Sequence, residues 1–424
     1  MCQPLTTRVA CSSTSNAKLF ALTRAVAEWR QPPTYWSGGR AGWIVVPDHL
    51  ASTRLRGLKF KGLGSPPSRA QPARIPSSDP YDRWGGQPSD PHFGISDDGE
   101  FCLREGDPAP VGGLCLESAV REQQCSRALV KAGVPTVAPI AAFSYDRLVF
   151  SSEGRRVPLA VSVTASPLHQ DTRCSAIMTF EEPNERDDRT ARELDRVCQA
   201  LGISASSSGA PGRLKILGAV YEALGRTLRA FSAAGWYRYS SHPGNVTIDQ
   251  NGAALLVDLD SCRDMRLIKE ERASLEAVRD GMSALYNLSC TFYSSEALLH
   301  IDDASLVDNE PFSGFLAGWD PSAEHRTNRA DGRAIAQYVV AARARLRHFA
   351  AFLESDLPAA THLYRYVRHD RDVTYCGLMR LLARRRLQRP TDLPLPYDGA
   401  ELDLRLRRFA GYERFERLGE LDGS

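Results

Sequence analysis

Apolar residues follow two rhythms along this chain. Over roughly the first 170 residues they come mainly in short runs with period two, the spacing of a pleated strand; beyond that they recur every three or four residues, as on a helix face. Strands are predicted at Trp43–Val46, Leu55–Lys61, Glu100–Arg104, 137–143 and 157–164. Pro47-Asp48 separates the first two, and Asp97-Asp98-Gly99 supplies a hairpin turn before the third. Two helices accompany them. One spans 16–30 with Leu19, Phe20, Leu22, Val26 and Trp29 on one stripe; the other spans Leu116–Ala132, ended by Gly133 and Pro135.

After an acid-rich stretch from Glu181 to Arg189, the chain reads as almost wholly helical. Leu214, Leu217, Val220, Tyr221, Leu224, Leu228 and Phe231 form one stripe, and further helices are expected near 267–288, 331–354, 360–388 and 400–417. Pro, Ser, Gly and Asp crowd 64–94, which reads as a long loop insertion. The expectation is an α+β chain in two lobes: a helical extension over 1–34, a small β-rich lobe with one helix over 35–167, and a larger helical lobe over 168–424.

Composition narrows the function. The 424 residues carry 53 Lys plus Arg against 51 Asp plus Glu, a net charge of +2, which gives no reason to expect nucleic acid as a partner. No apolar run reaches membrane-spanning length, so no membrane partner is expected either. The ten cysteines contain no C-x-x-C and read as reduced thiols, and the start lacks a basic stretch followed by a long apolar one, so a cytoplasmic protein is expected. Only six residues are lysines (18, 59, 61, 131, 215 and 269), and two of them share one strand as Lys59-Phe60-Lys61.

Candidate chemistry concentrates in two places. Ser241-His242-Pro243-Gly244-Asn245 is a tight turn presenting an amide, followed by a strand, an Asn251-Gly252 hairpin turn, a second strand and then Asp258-Leu259-Asp260. An antiparallel return would set Asn245 beside Asp258, a hard oxygen-rich pair suited to Mg²⁺ with phosphate oxygens completing its shell. Upstream, Leu58-Lys59-Phe60-Lys61-Gly62-Leu63-Gly64-Ser65-Pro66 precedes Ser118-Ala119-Val120-Arg121-Glu122, which leads to the helix exit Gly133-Val134-Pro135-Thr136. Gly38-Gly39-Arg40-Ala41-Gly42 and Gly112-Gly113 are glycine-rich turns without a G-x-G-x-x-G pattern.

The HPGN…DLD arrangement resembles the catalytic loop and metal-binding Asp of the protein-kinase-like superfamily, in its aminoglycoside-phosphotransferase-type wording; the spacing of 258 − 245 = 13 residues agrees. The upstream pair resembles selenoprotein O-type kinase-like adenylyltransferases. The resemblance implies a bilobal kinase-like fold using ATP and Mg²⁺, with Asn245 and Asp258 on the metal and Asp260 as a further carboxylate. It also implies Lys61 on the nucleotide phosphates and Glu122 paired with Lys61; Lys59 rivals Lys61 and Glu117 rivals Glu122. Val161–Pro167 would be the connection between lobes. The superfamily's catalytic Asp falls five positions before the Asn, at 245 − 5 = 240, where this chain has Ser240. His242 then either braces its loop or accepts a proton, and Asp260 is the nearest carboxylate for that task. The implied activity is phosphoryl transfer to a hydroxyl of a small-molecule or peptide acceptor. Adenylyl transfer and a non-catalytic nucleotide-binding protein are the alternatives.

Overall fold

The computed structural model describes residues 5–37, 39–68, 71–76, 80–81, 92–104, 109–152, 155–170, 172–178, 188–204, 209–238, 241–292, 295–356, 371–388 and 394–411. The chain is mixed α+β and forms two compact units. The first holds Met1–His92, Arg104–Asp171 and Leu255–Cys262; the second holds Phe93–Leu103, Thr172–Ala254 and Arg263–Ser424.

A six-stranded antiparallel sheet organises the first unit, in the order Thr7–Ser12, Ala138–Ser152, Arg155–Ser166, Gly57–Lys61, Ala41–Val45 and Tyr35–Trp36. Strand alternation divides its two faces. Leu58 and Phe60 point into a core shared with Ile44, Phe143, Val161, Val163 and Ala165. Lys59 and Lys61 point the other way. Lys59 lies between Trp43 and Thr164, and Lys61 between Ala41 and Ser162.

The opening residues depart from the expected helical extension. Thr7–Ser12 is an edge strand paired with Ala138–Ser152, and the following helix, Ala17–Ala27, places Leu19, Val26 and Ala27 in the same core. The strand carries no legible alternation because Val9 is nearly half exposed and its polar residues line an edge. Asn16 caps the helix, its side-chain oxygen accepting from Lys18 N and Leu19 N at 3.1 Å.

Helix Leu116–Lys131 covers the polar face of the sheet. Its inner side buries Ala119, Glu122, Gln123, Cys125, Ser126 and Leu129, and Gln123 Nε2 donates to Ser162 Oγ and to the Val163 carbonyl, both at 2.9 Å. Within the expected 64–94 loop, Ser65 and Arg74 exchange backbone hydrogen bonds of 2.9 and 3.0 Å and Pro80–Tyr81 pairs with Ala109–Pro110. Residues 69–70, 77–79 and 82–91 lie outside the described residues.

The second unit is built on helices, including Asp188–Ala200, Ala210–Ala233, Glu270–Thr291, Phe312–Trp319, His325–Phe352, Arg371–Gln388 and Gly399–Ala410. The seven-residue stripe from Leu214 to Phe231 is buried throughout. Ala210–Ala233 and Phe312–Trp319 cross at backbone distance: a Cβ at Gly318 would meet the Glu222 carbonyl oxygen at 2.1 Å, so only glycine admits this approach. Asp188–Ala200 and the short helix Phe312–Trp319 fall within the region expected to be almost wholly helical but are not among the helices that the apolar period delimits. The beginning of the helix expected at 360–388 and the end of the one expected at 400–417 lie outside the described residues. Among the described residues no helix is long and apolar enough to cross a membrane.

Candidate functional site

Within the first unit, the polar face of the sheet carries a buried cluster of charge. Lys59 Nζ donates to Asp258 Oδ1 at 2.8 Å. Lys61 Nζ donates to Asp260 Oδ1, lies 3.3 Å from Asp258 Oδ1 and 3.9 Å from Glu122 Oε1. Arg40 donates to Asp260 Oδ2 at 3.1 Å, and Arg121 donates to the Asp260 carbonyl at 3.0 Å. Lys59, Lys61 and Glu122 are almost fully buried.

Three elements bring this about. The alternation of one strand aims both lysines at one face. The helix above supplies Glu122, whose Oε1 also accepts from Leu259 N at 3.2 Å and so ties the Asp258-Leu259-Asp260 segment to the helix. That segment is a turn rather than a strand continuation: Asp258 takes the left-handed conformation at φ 57°, ψ 58°, followed by a 3₁₀ turn over Leu259–Ser261. A left-handed non-glycine residue costs on the order of 1 kcal/mol or more and persists where its surroundings hold it. Here the bonds to Leu259 N and the Asp260 carbonyl hold it, and both carboxylates face the lysines.

Burial alone would lower the Lys61 pKa, but Asp258, Asp260 and Glu122 outweigh it and hold the ammonium above its ordinary value. Burial alone would raise the Asp260 pKa, and Lys61 and Arg40 together pull it below the usual carboxylate range. Asp260 is therefore an ion-pair partner and a weak proton acceptor. Glu122 Oε2 is buried without a hydrogen-bond partner. The rival Glu117 is exposed on the first turn of the helix.

In the second unit, Pro243–Asn245 forms a 3₁₀ turn. His242 Nδ1 accepts from Gly244 N at 3.1 Å, and its Nε2 lies 3.1 Å from the Asn245 side-chain amide. By accepting at Nδ1 from Gly244 N the histidine braces the turn that carries Asn245. Arg173 donates to the Gly244 carbonyl at 2.8 Å from outside the loop. The predicted hairpin forms between Val246–Ile248 and Ala254–Leu256, with Gly252 at φ +76°. The backbone leading to this loop is anchored by helix Glu270–Thr291, where Asp280 Oδ2 accepts from Arg238 N at 3.0 Å. Asp280 is fully buried beside Arg279 and Glu276, and burial pushes its carboxyl up to about 7. Ser240 lies outside the described residues.

Residue patterns alone assign no role to Arg40, Arg121 or Asp280. Arg40 sits in a glycine-rich turn whose signal is its glycines, and Arg121 stands inside the Ser118–Glu122 motif. Asp280 is hidden in an ordinary amphipathic helix. Among the described residues no group of three or more His, Cys, Asp or Glu side chains is placed to hold a metal ion. The chain matches no family model, and a search of curated proteins finds no match.

Proposed function

We propose that this protein binds a nucleoside triphosphate with Mg²⁺ and transfers a phosphoryl group to a hydroxyl of a small-molecule or peptide acceptor, on a bilobal kinase-like scaffold. The observation that supports this reading is Lys61, a buried lysine kept charged between Glu122 on a helix and the Asp258 and Asp260 carboxylates. A fixed ammonium is a point charge suited to phosphate oxygens, and the glutamate beside it sets its position.

Two of these residues carry oxygen donors of the kind a hard divalent cation takes. Asp258 and Asp260 offer carboxylate oxygens, and the spacing from Asp258 assigns Asn245 as an amide ligand on sequence grounds. Mg²⁺, when bound, supplies neutralisation of the charge that builds on the transferred phosphoryl oxygens. This chain's residues do the rest: Lys61 orients the phosphates, Glu122 holds Lys61, and the Leu259 N to Glu122 bond keeps the Asp258 turn in place. A bond forms from the acceptor oxygen to the terminal phosphorus as the bridging P–O bond breaks; the nucleoside diphosphate leaves and the hydroxyl proton passes to water. No carboxylate stands at position 240, and the depressed pKa of Asp260 disfavours it as a base. Catalysis on this reading is positioning and charge neutralisation, which together supply most of the rate enhancement in phosphoryl transfer.

Two measurements test the proposal. MgATP should raise the melting temperature of the wild-type chain, and Asp258→Ala should remove that increase. Incubation of the chain with γ-labelled and α-labelled ATP and candidate acceptors separates the readings: label from the γ position supports phosphoryl transfer, label from the α position supports adenylyl transfer, and stabilisation without either label points to a non-catalytic nucleotide-binding protein.

A further inference from the structure

Arg40 differs from the other cations around Asp260 in what carries it. Lys59 and Lys61 are fixed on a strand and Arg121 on helix Leu116–Lys131, whereas Arg40 follows Gly39 in the turn between Tyr35–Trp36 and Ala41–Val45. Ser37 N closes that turn by donating to the Ala41 carbonyl at 2.7 Å, and Gly62 N, next to Lys61, donates to the Arg40 carbonyl at 2.8 Å. The backbone of Arg40 is thus held beside Lys61 while its side chain stays 30% exposed. That side chain donates through Nη2 to Asp260 Oδ2 at 3.1 Å and through Nη1 to the Gly113 carbonyl at 3.4 Å. Both bonds are long for a guanidinium, whose bonds to carboxylates usually fall at about 2.7–2.9 Å.

We propose that Arg40 reads the polyphosphate of the ligand: in the free protein it rests on Asp260, and on binding it turns to a phosphate oxygen beside Lys61. The inference rests on the polyphosphate-binding part of the function proposed above and calls on no metal ligand. Lys61 takes Asp260 Oδ1 and Arg40 takes Oδ2, so two cations from different elements already grip two oxygens of one anion. The same pair can grip two oxygens of a phosphate. Asp260 keeps its bond from Lys61 when Arg40 turns away, so the exchange leaves no bare carboxylate in the interior. The guanidinium it releases is partly in water already, and an ion pair open to solvent is held weakly. A phosphate offers that guanidinium more charge and two parallel bonds, so the exchange favours the ligand. The bond from Gly62 N keeps the backbone in place, and the long side chain alone supplies the reach.

The test uses the full chain and two probes, ATP and inorganic tripolyphosphate, each titrated in Mg²⁺ buffer by isothermal calorimetry. Arg40→Gln should weaken both on the order of tenfold, the loss of one charge-assisted contact. Arg40→Lys, which keeps the charge and loses the planar fork, should recover part of that loss. A second measurement needs no substitution. Phenylglyoxal modification of the wild type, mapped by mass spectrometry, should slow at Arg40 when tripolyphosphate is present and stay unchanged at Arg8, whose side chain is 84% exposed. Arg40→Gln binding both probes as tightly as wild type, or losing affinity for ATP alone, overturns the phosphate-reading role, and so does Arg40 modification unmoved by saturating tripolyphosphate. Failure of the underlying reading looks different: the wild type binds neither ATP nor tripolyphosphate, and both proposals then fall.

Discussion

Replacing Lys61 by methionine removes one charge from the buried cluster and keeps most of the side-chain volume. Lys61 lies 3.3 Å from Asp258 and 3.9 Å from Glu122, in addition to its short bond to Asp260. At an effective dielectric of 20 the first two attractions amount to about 5 and about 4 kcal/mol before desolvation is subtracted. Removing the lysine restores none of the desolvation of the three carboxylates it leaves behind, which then face one cation fewer. Loss of one partner from a buried pair typically costs about 3–5 kcal/mol, and that is the expected loss of unfolding free energy near pH 7. The pH dependence follows from the two shifts. Asp260, with its folded pKa depressed, contributes stability that is present above its unfolded value near ~4 and is lost as pH falls through the lower folded value. Lys61, with its folded pKa raised, contributes stability that is present below its unfolded value near ~10.4 and is lost as pH rises through the higher folded value. The deficit in Lys61→Met should therefore be full at pH 7 and shrink under acid, where the abandoned carboxylates take up protons. Urea unfolding of the full chain, followed by tryptophan fluorescence, measures it, with the exposed Lys131→Met as a control expected within ~0.5 kcal/mol of wild type. Adding Asp260→Asn to Lys61→Met should recover part of the loss. A deficit below about 1 kcal/mol, or strictly additive effects of the two substitutions, would refute the account of the cluster as a mutually dependent unit.

Further outcomes are expected elsewhere. Gly57→Ala places a methyl 2.1 Å from Trp43 Cζ2 and 2.7 Å from the Leu168 carbonyl oxygen, so it should cost about 1–3 kcal/mol; thermal unfolding should show the loss, and Trp43→Phe should relieve part of it. Asp280 holds its proton up to about pH 7 in the folded chain while the unfolded carboxyl ionises near ~4, so this group lowers stability progressively between those values and adds no further slope above them. Asp280→Asn should flatten that part of the profile, as read from urea midpoints at pH 5 and pH 8.

Much of the local architecture was legible in the residue order because its causes are local. The period-two runs and Gly-containing turns marked the strands that carry the lysines, and the 3.6-residue stripe from Leu214 to Phe231 marked a buried helix. Alternation alone required Lys59 and Lys61 to share a face. It could not say which of them meets Glu122, since that depends on the height of a separate helix above the sheet; the fold sets Lys61 against Glu122 and Lys59 against Asp258. The edge strand Thr7–Ser12 was not legible because its partner, Ala138–Ser152, lies far along the chain and its own pattern is largely solvent-facing. Asp258 and Asp260 read as alternate residues of a strand end, yet a left-handed turn swings both toward the lysines, a conformation held by bonds from Leu259 N to Glu122 and from Arg121 to the Asp260 carbonyl. The residue types for a charged site were thus written in two short motifs, whereas their pairing was decided by tertiary structure. Lys61 and Asp260 stand 199 residues apart. Only burial in a common low-dielectric interior makes their charges interact strongly enough to fix which cation neutralises which carboxylate.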